Sequence, residues 1–447
     1  MNASTQAINN AGVRATDAER LTRSGRVFIA VVLIVVLEGA IRKWLSSSLT
    51  LPLVLTRDAL ASYAIVYAFM HGHLHRYGIV SRILLAWSCC VLIWGMLQVI
   101  LGESNPMVLL IGLRFWLLYV WFAFAVTASM SEHDFRVAIK TILWVLVLTG
   151  PLVILQSFSP TGARINTEID SDSEAFTVGR GIVRTTGTFS FTAGQAAFVA
   201  LCTPLAVLMF ESRKRNAFQR LFSLMVLGAF LAAVVVSGSR GAILFSGGLF
   251  GLYLLGSVFF APGKRRVIAL FASVFIVLML GLSLYVFRDA VEATQERFEV
   301  AADAGDAISN RVLEAFVGEP YVLDKFTWTG YGLGMGSNLA AYVQTPDATE
   351  RVFLLSETET GRVLLEGGLL GYLLIALKTA MGVVGLAKGS LQALRTRRMF
   401  AMLLWIALFV SIFTWSTIGQ LTINAIFGVM LALGLLAFKY PNFQLLK

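Results

Sequence analysis

Charge is scarce in this chain. Asp, Glu, Lys and Arg make up 14% of it against 57% hydrophobic residues, and the mean hydropathy is +0.76. Soluble domains carry about 25% charged residues, so a water-soluble fold is excluded and a membrane protein is expected. Cysteine is equally thin. Cys89, Cys90 and Cys202 all lie in apolar runs, which excludes a disulfide framework or a paired-cysteine metal knuckle and leaves buried thiols packed as small hydrophobes. Three of the four histidines, His71, His73 and His75, alternate in HGHLH; metal binding needs converging ligands, which a helical spacing of two does not provide. The apolar run after the polar first 26 residues lacks a short core with a small-residue cleavage site, so a retained first helix is expected.

What is present is apolar length. Runs of the roughly 20 residues needed to cross a ~30 Å hydrocarbon layer recur about twelve times, near 27–45, 51–70, 79–101, 107–130, 135–158, 188–210, 221–237, 241–261, 267–287, 362–385, 399–416 and 420–438. The expected fold class is an all-α polytopic membrane protein. Residues 1–26 form an N-terminal segment, 27–438 the transmembrane domain of about twelve helices, and 439–447 a C-terminal tail. Basic residues in short loops stay on the cytoplasmic side. The clusters Arg14 to Arg26, 213–215, 264–266 and 395–398 all fall on one side of twelve crossings, so both termini are expected in the cytoplasm, with the polar connections 159–187 and 288–361 outside. The formal charge of +10 is largely spent on these clusters, which meet anionic lipid headgroups; nucleic acid is not an expected partner.

Ionisable side chains in mid-membrane cost at least ~2.5 kcal/mol and should face a bundle interior or a cavity. Glu38 and Arg42 stand four apart in LEGAIRKW, Arg57 and Asp58 are adjacent, and Arg114 is alone in IGLRFWLLY. Glu38, Arg42, Arg57 and Asp58 can be helix-joining salt bridges or part of a ligand cavity. Arg240 differs, because SGSRG falls at the outward end of the seventh run among tiny neighbours. A guanidinium beside the free amides of a helix start is a phosphate site in outline; an interfacial arginine snorkelling to headgroups is the alternative.

Further arginines belong to the same face: Arg180 and Arg184 in GRGIVRTTGTFSFTAGQ, Arg311 in SNRVLEAF, and Arg362 in ETETGRVLLEGGLLG. If the helices bundle as supposed, they converge on a ligand with several negative charges. The loop 288–361 is too long for a simple connection; its mixture of charged and apolar residues suits amphipathic outer helices, and GYGLGMGSN at 330–338 a glycine-rich turn packed on helix ends or ligand. No βαβ unit surrounds it to support dinucleotide binding. Asp170, Asp172 and Glu174 in IDSDSE are spaced like a metal-binding acidic triplet, but without a nucleotide fold a solvated segment is expected. Glu357 and Glu359 lie within reach of the arginine face and could act as a general base if burial raises their pKa, or merely pair with Arg351 or Arg362.

Four segments then resemble the O-antigen ligase and O-antigen polymerase superfamily of bacterial envelope enzymes. RTTGTFSFTAGQ, VVVSGSRGAIL, NRVLEAF with GYGLGMGS, and LLEGGLLGYLL occur in the family's order across about residues 180–375. The family places a histidine nine residues before the glutamate of its E-x-G-L-L-G segment; here that position is Glu357, nine before Glu366, which resembles a less common branch found with exopolysaccharide synthesis. The resemblance implies a GT-C-like glycosyltransferase of the bacterial inner membrane with no cofactor or metal. Its donor would be a glycan on undecaprenyl pyrophosphate, held by Arg180, Arg184, Arg240, Arg311 and Arg362, with Glu357, or Glu359 second, orienting or deprotonating the acceptor. A polymerase joining lipid-linked repeat units is favoured over a ligase to lipid A core; a flippase and a chain-length regulator are the implied pathway partners. A lipid-linked oligosaccharide transporter is the reading from another class, but repeated halves typical of transporters are not visible.

Overall fold

The computed structural model describes residues 20–167, 177–178, 182–211, 216–260, 308–340, 343, 356 and 358–446, with scattered positions between 266 and 292. The described chain is almost wholly helical: α1 (Arg23–Trp44), α2 (Thr50–Met70), α3 (Ile79–Ile100), α4 (Pro106–Leu113), α5 (Tyr119–Ser129), α6 (Glu132–Phe158), α7 (Thr192–Glu211), α8 (Ala217–Val236), α9 (Arg240–Phe260), α10 (Ile308–Val317), α11 (Pro320–Leu323), α12 (Glu359–Gly367), α13 (Leu369–Thr396), α14 (Phe400–Thr414) and α15 (Leu421–Lys439). A two-residue ribbon, β1 (Thr177–Val178) against β2 (Ile182–Val183), is the exception.

Among the described residues ten helices are long and apolar enough to cross a membrane, so the chain is a multi-pass membrane protein by composition and length. Most expected runs coincide with them. Two differ and one is outside: α14 is a shorter apolar helix of 15 residues, the run 267–287 lies mostly outside the described residues, and the expected run 362–385 begins instead at Leu369. The physical reason is Gly368. Its φ of +53° separates α12 from α13, and the Leu369 amide is taken by the Trp328 carbonyl at 3.0 Å, so the segment around Trp328 breaks the helix just before the apolar span.

Local caps set several boundaries. Asn105 caps α4 ahead of Pro106, whose fixed φ suits a first helical position, and Ser131 with Asp134 forms a capping box on α6. Asp134 also accepts from the Thr22 amide and hydroxyl at 2.9 and 2.7 Å, so one buried carboxylate ties the starts of α1 and α6. Between α4 and α5 the helix widens into a π turn at Arg114–Leu118, an irregularity common at functional sites.

α7 and α15 are the innermost helices, while α2, α3 and α13 are the most outward-facing. On α13, Gly382, Gly385 and Gly389 let Phe409, Trp405 and Met402 of the α14 region approach; a Cβ at Gly385 would collide with the Trp405 indole. Small residues permit this contact where lipid offers helices little hydrophobic drive to associate. Cys202 is buried as expected, but Cys89 and Cys90 are exposed on α3: α3 is peripheral, so half its circumference faces outward.

Candidate functional site

The buried charges of the first five helices form one network. Arg57 Nη1 donates to both oxygens of Glu38 at 2.7 and 2.6 Å, and Thr422 Oγ1 donates to Glu38 at 2.9 Å. Arg114, placed by the π turn, donates to Asp58 at 2.8 and 3.2 Å, where the Tyr119 hydroxyl joins at 2.9 Å. Two guanidinium groups and two carboxylates therefore balance inside the bundle, between α1, α2, α5 and α15. Glu38 bonds across to Arg57 and not along its own helix; Arg42 donates to Thr50 Oγ1 at 2.8 Å.

Two of the predicted arginine turns meet. The Thr185 hydroxyl donates to the Val236 carbonyl at 3.1 Å, which joins the residue after Arg184 to the last residue of α8. Four residues on, past Ser237, Gly238 (φ +57°) and Ser239, Arg240 opens α9. Arg184 and Arg240 are both half-buried. The RTTGTF turn itself is pinned: Lys43 Nζ donates to Thr186 Oγ1 at 2.8 Å and the Gly187 carbonyl at 2.9 Å, and Gln156 accepts from the Gly187 amide at 2.7 Å.

The glycine-rich turn and the LLEGG segment converge on a second centre. Glu366 accepts from Trp116 Nε1 at 2.8 Å and from the Gly334 and Gly336 amides at 3.1 and 2.9 Å. The glycine-rich turn is thus clamped to α12, and Gln98 adds a bond to the Leu333 amide at 2.9 Å. Gly330, Gly332 and Gly334 have φ of +77°, +117° and +94°, a region where side chains are strained, and a Cβ on Gly334 would lie 2.5 Å from the Val108 carbonyl oxygen. Burial pushes the Glu366 carboxyl up to about 7, against the three donors that favour its charged form.

Arg362 is part of this clamp: its Nε donates to the Ser356 carbonyl at 3.0 Å and Nη1 to the Gly336 carbonyl at 3.1 Å. Glu359 is 3% exposed. Its ion pair is with Lys378 of α13, at 2.6 Å, and not with Arg362; the Thr417 hydroxyl and the Ile418 amide, at 3.3 Å, also donate to it. Beside the pair is a small cavity bounded by Thr360, Ile375, Ile412 and Phe413. Glu319 accepts from the Thr358 amide and hydroxyl, both at 2.7 Å, and the Thr360 hydroxyl reaches Ala315 of α10 at 2.5 Å.

Glu357 and Arg180 lie outside the described residues, as do Arg351 and the acids of IDSDSE. Arg311 lies in α10, its side chain outside the description; α10 packs on α12 and α14. His71 and His73 stack at 5.9 Å beside Tyr67, with His73 held below the usual imidazole range by burial and by Arg76. Among the described residues no three His, Cys, Asp or Glu side chains gather as a metal site.

Reasoning from sequence missed Lys378, Glu319 and Gln98. Lys378 carried a readable signal, a lone cation in LLIALKTAMGVV; the other two are ordinary polar residues whose partners lie far along the chain. No protein-family model matches the chain, and no curated protein matches it.

Proposed function

We propose that the protein is a membrane glycosyltransferase that moves a glycan from a lipid diphosphate to an acceptor hydroxyl, most specifically a polymerase of lipid-linked repeat units at the outer face of a bacterial inner membrane. One observation carries the reading: the Thr185–Val236 hydrogen bond draws together the two turns that hold Arg184 and Arg240; Arg240 opens α9, and the turn after Arg184 leads into α7. Guanidinium groups at helix starts suit phosphate oxygens. The order of the four motifs along the chain supports the same family resemblance.

In this reaction the acceptor oxygen attacks the anomeric carbon and its bond to the diphosphate breaks. The electron pair leaves on the diphosphate, where Arg184 and Arg240 meet the growing negative charge. The acceptor proton passes to Glu357. Glu359, engaged by Lys378, Thr417 and Ile418, becomes a support of α12 in this scheme and not the base. Arg362 orders the glycine-rich turn through two backbone carbonyls, leaving Arg311 to join the arginine pair.

The test is substitution with two readouts. Arg240→Ala should stop polymer formation and leave lipid-linked repeats accumulating on the outer side; repeats trapped on the cytoplasmic side would make the protein a transporter. Purified protein given one donor and either acceptor separates polymerase from ligase: product on lipid A core alone makes it a ligase.

A further inference from the structure

Two hydroxyls in the turn before α7 have nothing to bind. Thr188 Oγ1 and Ser190 Oγ are buried without a hydrogen-bond partner, and their residues are 6% and 5% exposed. An unpaired buried hydroxyl is unfavourable compared with a methyl group of the same shape. Two of them within three residues are therefore a cost the free protein carries.

The turn that bears them is rigid. Lys43 and Gln156 hold its backbone from α1 and α6. Gly39 of α1 abuts it so closely that a Cβ there would stand 2.5 Å from the Thr188 carbonyl oxygen. Gly187 takes a φ of +55°. Directly after the turn begins α7, 20 residues long, whose first amides have no acceptor within the helix and favour negative charge. Arg184 precedes the turn, and the Thr185 hydroxyl binds it to the end of α8.

The geometry points to residues 185–191 as an oxygen-binding wall for a diphosphate, with the Thr188 and Ser190 hydroxyls donating to its phosphoryl oxygens. This rests on the donor reading above and deepens it. A diphosphate presents more acceptor oxygens than guanidinium groups alone can cover, and hydroxyls before a helix start supply neutral donors without adding to the positive charge of Arg184 and Arg240. Rotation about χ1 turns each hydroxyl toward the ligand while the clamped backbone stays in place.

Thr188→Val, Ser190→Ala and the double variant of the full chain test this, with binding followed in micelles for polyprenyl diphosphate, inorganic pyrophosphate and phosphatidylglycerol. The expected result is a free protein melting at or above the wild-type temperature, with affinity for polyprenyl diphosphate falling about tenfold per hydroxyl, a parallel loss for pyrophosphate and no change for phosphatidylglycerol. Unchanged diphosphate affinity in the double variant, while Arg240→Ala loses it, would overturn this inference and leave the proposed function standing. Equal losses for phosphatidylglycerol would overturn it too, by making the turn a headgroup contact. Absence of diphosphate binding in the wild type would remove both proposals together.

Discussion

Lys378 and Glu359 form an ion pair with side chains 13% and 2% exposed, in surroundings where neither charge tolerates isolation. Lys378→Met should destabilise the protein by about 3–5 kcal/mol, because it strands a buried carboxylate; thermal unfolding in detergent measures it. Combining it with Glu359→Gln removes the stranded charge and should recover most of the loss, and no recovery would show that the lysine acts through packing. Glu357 has a different test. Glu357→Gln should abolish polymer formation while donor binding stays near wild type, and unchanged turnover would remove this residue from the chemistry. At this scale the sequence displayed each charge but not its partner: Glu359 could be read as pairing with a nearby arginine, whereas its partner is 19 residues away on the next helix.

Among elements, the joint between the glycine-rich turn and α12 matters most. Both GYGLGMGS and LLEGG were visible as motifs, and close packing of the turn on helix ends was an expectation from glycine content. That Glu366 is the clamp was not legible, since its donors come from Trp116, Gly334 and Gly336, on separate segments. Gly334→Ala should displace the turn, at a cost of about 1–3 kcal/mol for the forced backbone conformation, seen as faster amide exchange across 330–336. The Glu366 carboxyl also makes the joint pH-sensitive. Its folded pKa, pushed up to about 7, lies above the ordinary glutamate value, so the stability it contributes is complete below the unfolded value and is lost as pH rises through about 7. The melting temperature should therefore fall more between pH 6 and pH 8 in the wild type than in Glu366→Gln; parallel slopes would refute the assignment.

For the whole molecule, two balanced charge pairs among α1, α2, α5 and α15, Glu38–Arg57 buried and Asp58–Arg114 half-buried, tie the first third of the chain to α15. Thr422 of α15 reaches Glu38 of α1 across 384 residues. Arg57→Ala would leave Glu38 without its cation inside the bundle, and a loss of about 3–5 kcal/mol is expected, with Glu38→Gln in the same chain relieving part of it. Catalysis should be indifferent to chelators, since arginines supply the charge that stabilises the leaving group in the proposed reaction. Inhibition by EDTA that added Mg2+ reverses would return attention to Asp170, Asp172 and Glu174.

The apolar runs by themselves determined that this is a multi-pass helical membrane protein and, within a few residues, where most helices lie. Hydrophobic length is a local property, and a backbone crossing hydrocarbon must satisfy its own hydrogen bonds. Tertiary structure alone decided which charges neutralise one another, that Arg362 orders a loop through carbonyls, and that the span expected at 362 begins at Leu369. Those outcomes depend on groups far apart in the chain meeting in a medium that penalises any polar atom left alone, and no local pattern encodes the meeting.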